Sequence, residues 1–102
     1  MTNHDLEKLV DTSDEWITTR TGIKERHVLE DGVNASDCGV SAARAALDEA
    51  GVSPEEITHI FVATCTPDYL CPSTACLIAG KLGISASSGR MGNVMCLDFN
   101  AA

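Results

Sequence analysis

Aromatic residues are scarce in this sequence: phenylalanine, tyrosine and tryptophan together make up 4% of its 102 residues. Aliphatic side chains therefore carry most of the apolar content of 44%. This composition favours layered aliphatic packing over a small module built around aromatic rings. The length suits one small domain with a modest core.

Basic residues are also few, with 7 Lys and Arg against 15 Asp and Glu and a net charge of −8. Such a surface repels the phosphates of nucleic acids and anionic lipids, which excludes both as expected partners. No apolar run approaches the ~20 residues of a membrane span. The opening MTNHDLEK lacks the basic and apolar regions of a signal peptide. We therefore expect a cytoplasmic protein with five reduced cysteines.

Short cysteine pairs of the CxxC kind, typical of structural zinc sites, are absent. Cys65, Cys71 and Cys76 are separated by five and four residues, and the three histidines lie elsewhere in the sequence. This spacing predicts no metal site. We interpret these thiols as small buried apolar groups, and Cys96, inside an apolar run, as a core residue rather than a nucleophile.

Cap residues and glycine stops mark the helices. Asn3 is the predicted cap of the first helix, and Thr12 forms a predicted capping box with Glu15 at the start of the second. The third opens at Ser36 or Asp37, and the fourth is capped by Ser73. The predicted ranges are 3–10, 12–20, 36–50 and 74–82, with a further helix start at 53–56.

Two continuous apolar runs, HIFVATC at 59–65 and VMCLDF at 94–99, predict strands buried on both faces of a parallel sheet. Residues 85–92 are interpreted as a loop. The order of helices followed by strand, helix and strand predicts an α/β layered unit. Two strands cannot form an independent sheet, so residues 1–102 are interpreted as one incomplete domain.

The single tryptophan, Trp16, stands four residues before Arg20, on the same face of the second predicted helix. An indole beside a guanidinium can clamp a nucleotide, with the ring on the base and the cation on a phosphate. The alternative is that Trp16 is a core residue or a half-buried ring that covers the core. The glycines form neither GxGxxG nor a phosphate loop, which disfavours a small nucleotide-binding domain.

Several motifs occur in a specific order: DLEKLVDTSDEWITTRTGIKERH, IFVATCTPDYLCPSTACLIAGKLG and LDFNAA. In this order they resemble β-ketoacyl-acyl-carrier-protein synthase III, the condensing enzyme that starts bacterial fatty acid synthesis. The resemblance implies the thiolase fold, which has two pseudo-equivalent α/β halves with mixed sheets. The chain would then be part of the N-terminal half, with helices packed on a mixed sheet.

The resemblance also implies where the chemistry lies. The family's nucleophilic cysteine follows the NAA-type motif, so it is expected directly after Ala102, and this chain contains no catalytic residue. The family's histidine and asparagine lie further on, and its first strand precedes TNHDLEK. The implied reaction is acyl transfer from acyl-coenzyme A to cysteine, then decarboxylative condensation with malonyl-acyl-carrier protein in a homodimer. No cofactor is expected beyond acyl-coenzyme A as substrate.

The family's binding residues carry over to four positions. Trp16 would stack on the adenine of coenzyme A, Arg20 would contact its phosphate end, and Thr12 would line the same site. Cys71 occupies a position that is often phenylalanine and limits acyl chain length, so a longer or branched primer is expected. Alternatively, Leu70 fills that space.

Two other interpretations remain open. The chain could be a non-catalytic product of truncation or a split gene that only associates or dimerises, through the exposed edge of its last strand. It could also derive from another ketoacyl synthase of the thiolase group.

Overall fold

The computed structural model describes residues 1–84 and 94–100. The chain divides into two compact units, Met1–Asp31 and Gly32–Ala102. The first holds helices α1 (Asn3–Leu6) and α2 (Asp14–Thr21). The second holds α3 (Ala35–Ala50), a 3₁₀ turn (Pro54–Glu56), β1 (His59–Ala63), α4 (Thr74–Lys81) and β2 (Met95–Phe99). Within 1–84 and 94–100, every helix is too short or too polar to cross a membrane.

The first unit starts its helices one residue away from the predicted caps. Thr2, not Asn3, caps α1, because the Thr2 hydroxyl accepts the backbone N–H of Asp5. Ser13, not Thr12, caps α2 and accepts the N–H of Trp16 at 3.1 Å. Each wrong assignment arose because neighbouring residues are all good caps, so the spacing alone does not select one.

Glycine ends α2 and α3 as predicted. Gly22 and Gly51 have φ values of 73° and 66°, in the left-handed region that a glycine enters without a steric penalty. The start of α3 is slightly earlier than predicted: Asn34 is its cap, and the backbone N–H of Asn34 donates to the Asp37 carboxylate at 3.0 Å. The cap of α4 is Ser73, as predicted.

The core of the second unit lies between α3, α4 and one face of the sheet. Its fully buried apolar side chains belong mainly to α4: Ala75, Ile78, Ala79 and, just beyond the helix, Ile84. Gly39 of α3 faces Ile78, where a β-carbon would lie 3.2 Å from Cγ1 and closer still to Cδ1. Small residues on both helices therefore permit a close approach.

Strands β1 and β2 pair in parallel, with His59 opposite Met95 and Ala63 opposite Phe99, which confirms the predicted pairing. The prediction that both faces of these strands are buried is wrong. In each strand, exposed and half-buried residues alternate, and Phe61 is 60% exposed. The reason is that α4 packs on one face only, and side chains alternate between faces. The predicted 85–92 loop lies outside the described residues.

Candidate functional site on helix α2

The face of α2 carries a stacked pair of an indole and a guanidinium. The Arg20 guanidinium carbon lies 4.8 Å from the centroid of the Trp16 ring, within cation–π distance. Trp16 is 54% exposed, so the ring is accessible and does not serve as a buried core residue. The one-turn spacing of the two residues produces this stack directly.

A shallow cavity of about 320 Å³ surrounds this pair. Its lining residues come from α2 and its cap: Ser13, Glu15, Trp16, Thr19 and Arg20. The volume is at the lower end for small-molecule sites. Thr12, the third predicted binding residue, is half-buried and is not among the lining residues. The structure therefore brings Trp16 and Arg20 together and leaves Thr12 beside them.

A buried asparagine holds α2 in place. Asn3 is 1% exposed, and its amide donates to the Asp14 carboxylate at 2.7 Å and to the Ile23 carbonyl at 2.8 Å. Arg26 donates to the Asn3 amide oxygen at 2.6 Å. The bond from Asn3 and a weaker one from Thr18 hold the pKa of Asp14 below its ordinary value.

The sequence predicted Asn3 only as a helix cap and did not predict its role as a buried hydrogen-bonding residue. Its partners are separated from it by 11, 20 and 23 residues. Local spacing carries no signal for bonds of that separation. The polar cluster around Asn3 contacts neither Trp16 nor Arg20 in the bonds described, so it supports the site through the helix backbone.

Cys71 lies in the second unit and is exposed, next to Leu70, which is 100% exposed. A cavity of about 300 Å³ adjoins this segment. Leu70 and Tyr69 are among its lining residues, whereas Cys71 is not. The primer role of Cys71 stays a prediction.

The other cysteines correct the interpretation of buried thiols. Cys65 and Cys76 are exposed like Cys71, and Cys96 is half-buried. The thiols at 65 and 71 lie in the irregular segment between β1 and α4, whereas Cys76 lies in α4 itself. Within residues 1–84 and 94–100, no group of three histidine, cysteine or acidic side chains is placed to hold a metal ion.

A serine, a lysine and two carboxylates meet at the start of α3. The Ser36 hydroxyl donates to Asp68 and accepts from the Lys81 ammonium at 2.6 Å, which also pairs with Asp37 at 2.6 Å. Ser36 is 0% exposed, so its hydroxyl is out of reach of a substrate. The ammonium lowers the pKa of Asp37. This cluster ties α3, α4 and the segment after β1 together and is not a nucleophilic centre.

No protein-family model matches the chain, whereas individual proteins and structures match it along its full length. The chain is 61% identical over 102 residues to a β-ketoacyl-[acyl-carrier-protein] synthase III from Nitratidesulfovibrio vulgaris strain Miyazaki F. That match covers 100% of this chain and 29% of the relative. The chain thus spans about three tenths of the length of the curated relatives that it matches.

Crystal structures agree with the sequence match. The 3-oxoacyl-[acyl-carrier-protein] synthase III of Aquifex aeolicus superposes with a TM-score of 0.72 at 48% identity, covering 100% of this chain and 30% of that one. An OleA variant from Xanthomonas campestris gives 0.66 at 30% identity, covering 98% and 30%.

Fold and sequence together define the class: a segment of a thiolase-like α/β fold. Within that class, the chain is a relative of β-ketoacyl-acyl-carrier-protein synthase III, which confirms the resemblance carried by its motifs. Among the solved structures named above, the Aquifex aeolicus synthase III is 48% identical to the chain and OleA is 30% identical.

Proposed function

We propose that this chain contributes the coenzyme A-binding face of a synthase III-type condensing enzyme of fatty acid synthesis. The observation that supports this most directly is the stacked Trp16–Arg20 pair beside an open cavity. The sequence that contains this pair matches a synthase III relative over all 102 residues of the chain. Trp16 would stack on adenine, Arg20 would bind a phosphate, and Thr12 would border the site.

The clamp suits a nucleotide for two physical reasons. The Trp16 ring is half exposed and offers an apolar surface to a base. The Arg20 guanidinium has a fixed planar fork that matches phosphate oxygens. Glu15 lines the same cavity and the net charge of the chain is −8, so both repel an anionic ligand. Arg20 is the cationic residue of the cavity lining and provides the attraction.

The proposed reaction is that of the complete enzyme. An acyl group passes from acyl-coenzyme A to a cysteine thiolate, and malonyl-acyl-carrier protein then condenses with the thioester and loses carbon dioxide. No residue of this chain is assigned a catalytic role and no cofactor is required. Cys71 would contribute to primer selection. The complete enzyme is proposed to act as a homodimer in the cytoplasm.

The single tryptophan provides the test. Titration of the purified chain with coenzyme A should quench Trp16 fluorescence with a saturable curve. Arg20→Ala should weaken binding by roughly 10- to 100-fold, because one charge-assisted bond contributes about 1.5–3 kcal/mol. Arg44→Ala removes an equal charge from α3 of the second unit and should leave the affinity unchanged. Equal affinities of the two variants, or the absence of quenching in the parent, would refute the clamp.

A second candidate function is association with another copy of this chain, favoured by the open face of the sheet. The exposed face carries apolar side chains from both strands, with Phe61 60%, Met95 51%, Leu97 42% and Phe99 51% exposed. The two phenylalanine rings lie 5.9 Å apart between centroids and form one patch. Contiguous apolar surface of this kind is typical of interaction sites.

A further inference from the structure

Two thiols lie side by side on the covered face of the sheet, where β2 meets α4. Cys96 and Asp98 occupy alternate positions of β2 and share one face. The Asp98 carboxylate accepts the backbone N–H groups of Thr74 at 2.6 Å and Ala75 at 2.8 Å. These bonds hold the first turn of α4 against β2, and Cys76 is the next residue of that turn.

The two cysteines face the same space there. Cys76 and Cys96 line one cavity of about 240 Å³, together with Ala79 and Val94. Burial and then the neighbouring Cys76 raise the pKa of Cys96, which keeps that thiol protonated. Cys76 is exposed, so an oxidant in solution reaches Cys76 first.

We propose that Cys76 and Cys96 form a two-electron redox site, closed to a disulfide by oxidants of the peroxide class and reopened by dithiols. The proposal uses neither the nucleotide clamp nor the condensation reaction, so it stands or fails independently of the proposed function. The disulfide would link α4 to β2 covalently. Oxidation is therefore expected to restrain the strand that ends near the proposed position of the nucleophile.

The reaction balances in two steps. The Cys76 thiolate attacks one peroxide oxygen, the O–O bond breaks, and Cys76 becomes a sulfenic acid. The second oxygen leaves as hydroxide and becomes water with the proton that the Cys76 thiol released on ionisation. The Cys96 sulfur then attacks the Cys76 sulfur, the S–S bond forms, and the S–O bond breaks. The hydroxyl leaves as water with the Cys96 proton. Two thiols lose two electrons, and one hydrogen peroxide becomes two waters.

The test uses the complete 102-residue chain in which Cys38, Cys65 and Cys71 are replaced by serine. These three residues are exposed, so the substitutions leave the core unchanged. The reduced protein receives one equivalent of hydrogen peroxide, and the remaining thiols are alkylated before trypsin digestion. We expect peptide 45–81 linked to peptide 91–102, lighter than their sum by two hydrogens and separated again by dithiothreitol.

Two single substitutions in that background assign the roles. Cys96→Ser should stop at a sulfenic acid on Cys76, which dimedone traps, whereas Cys76→Ser should show little dimedone adduct because the half-buried Cys96 is shielded. Circular dichroism checks that each variant is folded.

The native five-cysteine chain is treated in the same way in buffer and in concentrated urea. In buffer, Cys76–Cys96 should be the predominant intramolecular disulfide; in urea, the preference should disappear because the fold no longer pairs the two thiols. Exclusively intermolecular disulfides, a predominant pair other than Cys76–Cys96, or the same pairing with and without urea would each overturn the proposal.

Discussion

At the scale of single residues, Asn3 stabilises the first unit more than its place in a four-residue helix suggests. Its amide joins α1, the start of α2 and the segment after α2 through bonds of 2.6–2.8 Å. The Asn3 side chain itself is buried, so its amide depends on these protein partners rather than on water for its hydrogen bonds. This residue connects the folding of the unit to the position of the Trp16 clamp.

Asn3→Ala is expected to lower the free energy of unfolding by about 1–3 kcal/mol, because it removes the hydrogen bonds made by a buried amide. The pKa of Asp14 should rise toward its ordinary value of 3.8, since the Asn3 amide is the first cause of its depression. A group with a lowered folded pKa contributes stability above its unfolded pKa and loses it as pH falls through the folded pKa. The stability difference between parent and variant should therefore narrow below about pH 4.

Carbon-13 NMR titration of the Asp14 carboxyl and urea unfolding at several pH values measure both effects. A double-mutant cycle with Asp14→Ala supplies the control, because residues that act through one bond give non-additive energies. Additive losses, or an unchanged pKa of Asp14 in Asn3→Ala, would contradict the assignment.

At the scale of elements, the crossing of α3 and α4 depends on the absence of a side chain at Gly39. Ile78 fills the space that a β-carbon would occupy and is itself buried. Interiors are packed closely enough that one additional methyl group must displace its neighbours. The glycine therefore serves close helix packing, not a special backbone conformation.

Gly39→Ala is expected to destabilise the chain by about 1–3 kcal/mol despite the better helix propensity of alanine. Ile78→Val removes the crowding Cδ1 atom, so Gly39→Ala should cost less in that background. Thermal and urea unfolding of the four proteins of this cycle measure the coupling.

Gly80→Ala is the matched control, because the position is helical and a β-carbon there meets no atom within 4 Å. It should stabilise the chain by about 0.5–1 kcal/mol. If Gly39→Ala behaves like Gly80→Ala, the close approach of α3 and α4 is not a stability determinant.

At the scale of the whole molecule, the sheet has one covered face and one open face. The covered face carries Ile60, Val62, Cys96 and Asp98, and α4 packs on it. The open face carries the apolar patch described above, formed by Phe61, Met95, Leu97 and Phe99. Burying such a patch yields roughly 25 cal/mol for each Å² of apolar surface.

We expect the chain to self-associate through this patch in a concentration-dependent way. Phe61→Lys places a charge at the centre of the patch and should shift the chain toward monomer in sedimentation velocity. Leu9→Lys makes the same chemical change at a side chain that is 67% exposed in the first unit, and it should leave association unchanged. A parent that stays monomeric at high concentration, or equal effects of both variants, would exclude association through the sheet face.

The sequence by itself determined the elements whose signals are local. Capping residues, glycine stops and apolar runs predicted the helices and the parallel strand pair, and a spacing of four predicted the Trp16–Arg20 stack. These signals depend on contacts within one helical turn or on side-chain period alone.

Only the tertiary structure decided which faces are buried and which distant residues meet. It showed that one face of the sheet is open and that four of the five thiols are exposed. It also showed that Asn3 is buried with partners up to 23 residues away, and that Cys76 and Cys96 line one cavity. The physical reason is that burial and long-range hydrogen bonds depend on what packs against an element. The local chain specifies the element, whereas its neighbours in space determine which of its side chains reach solvent.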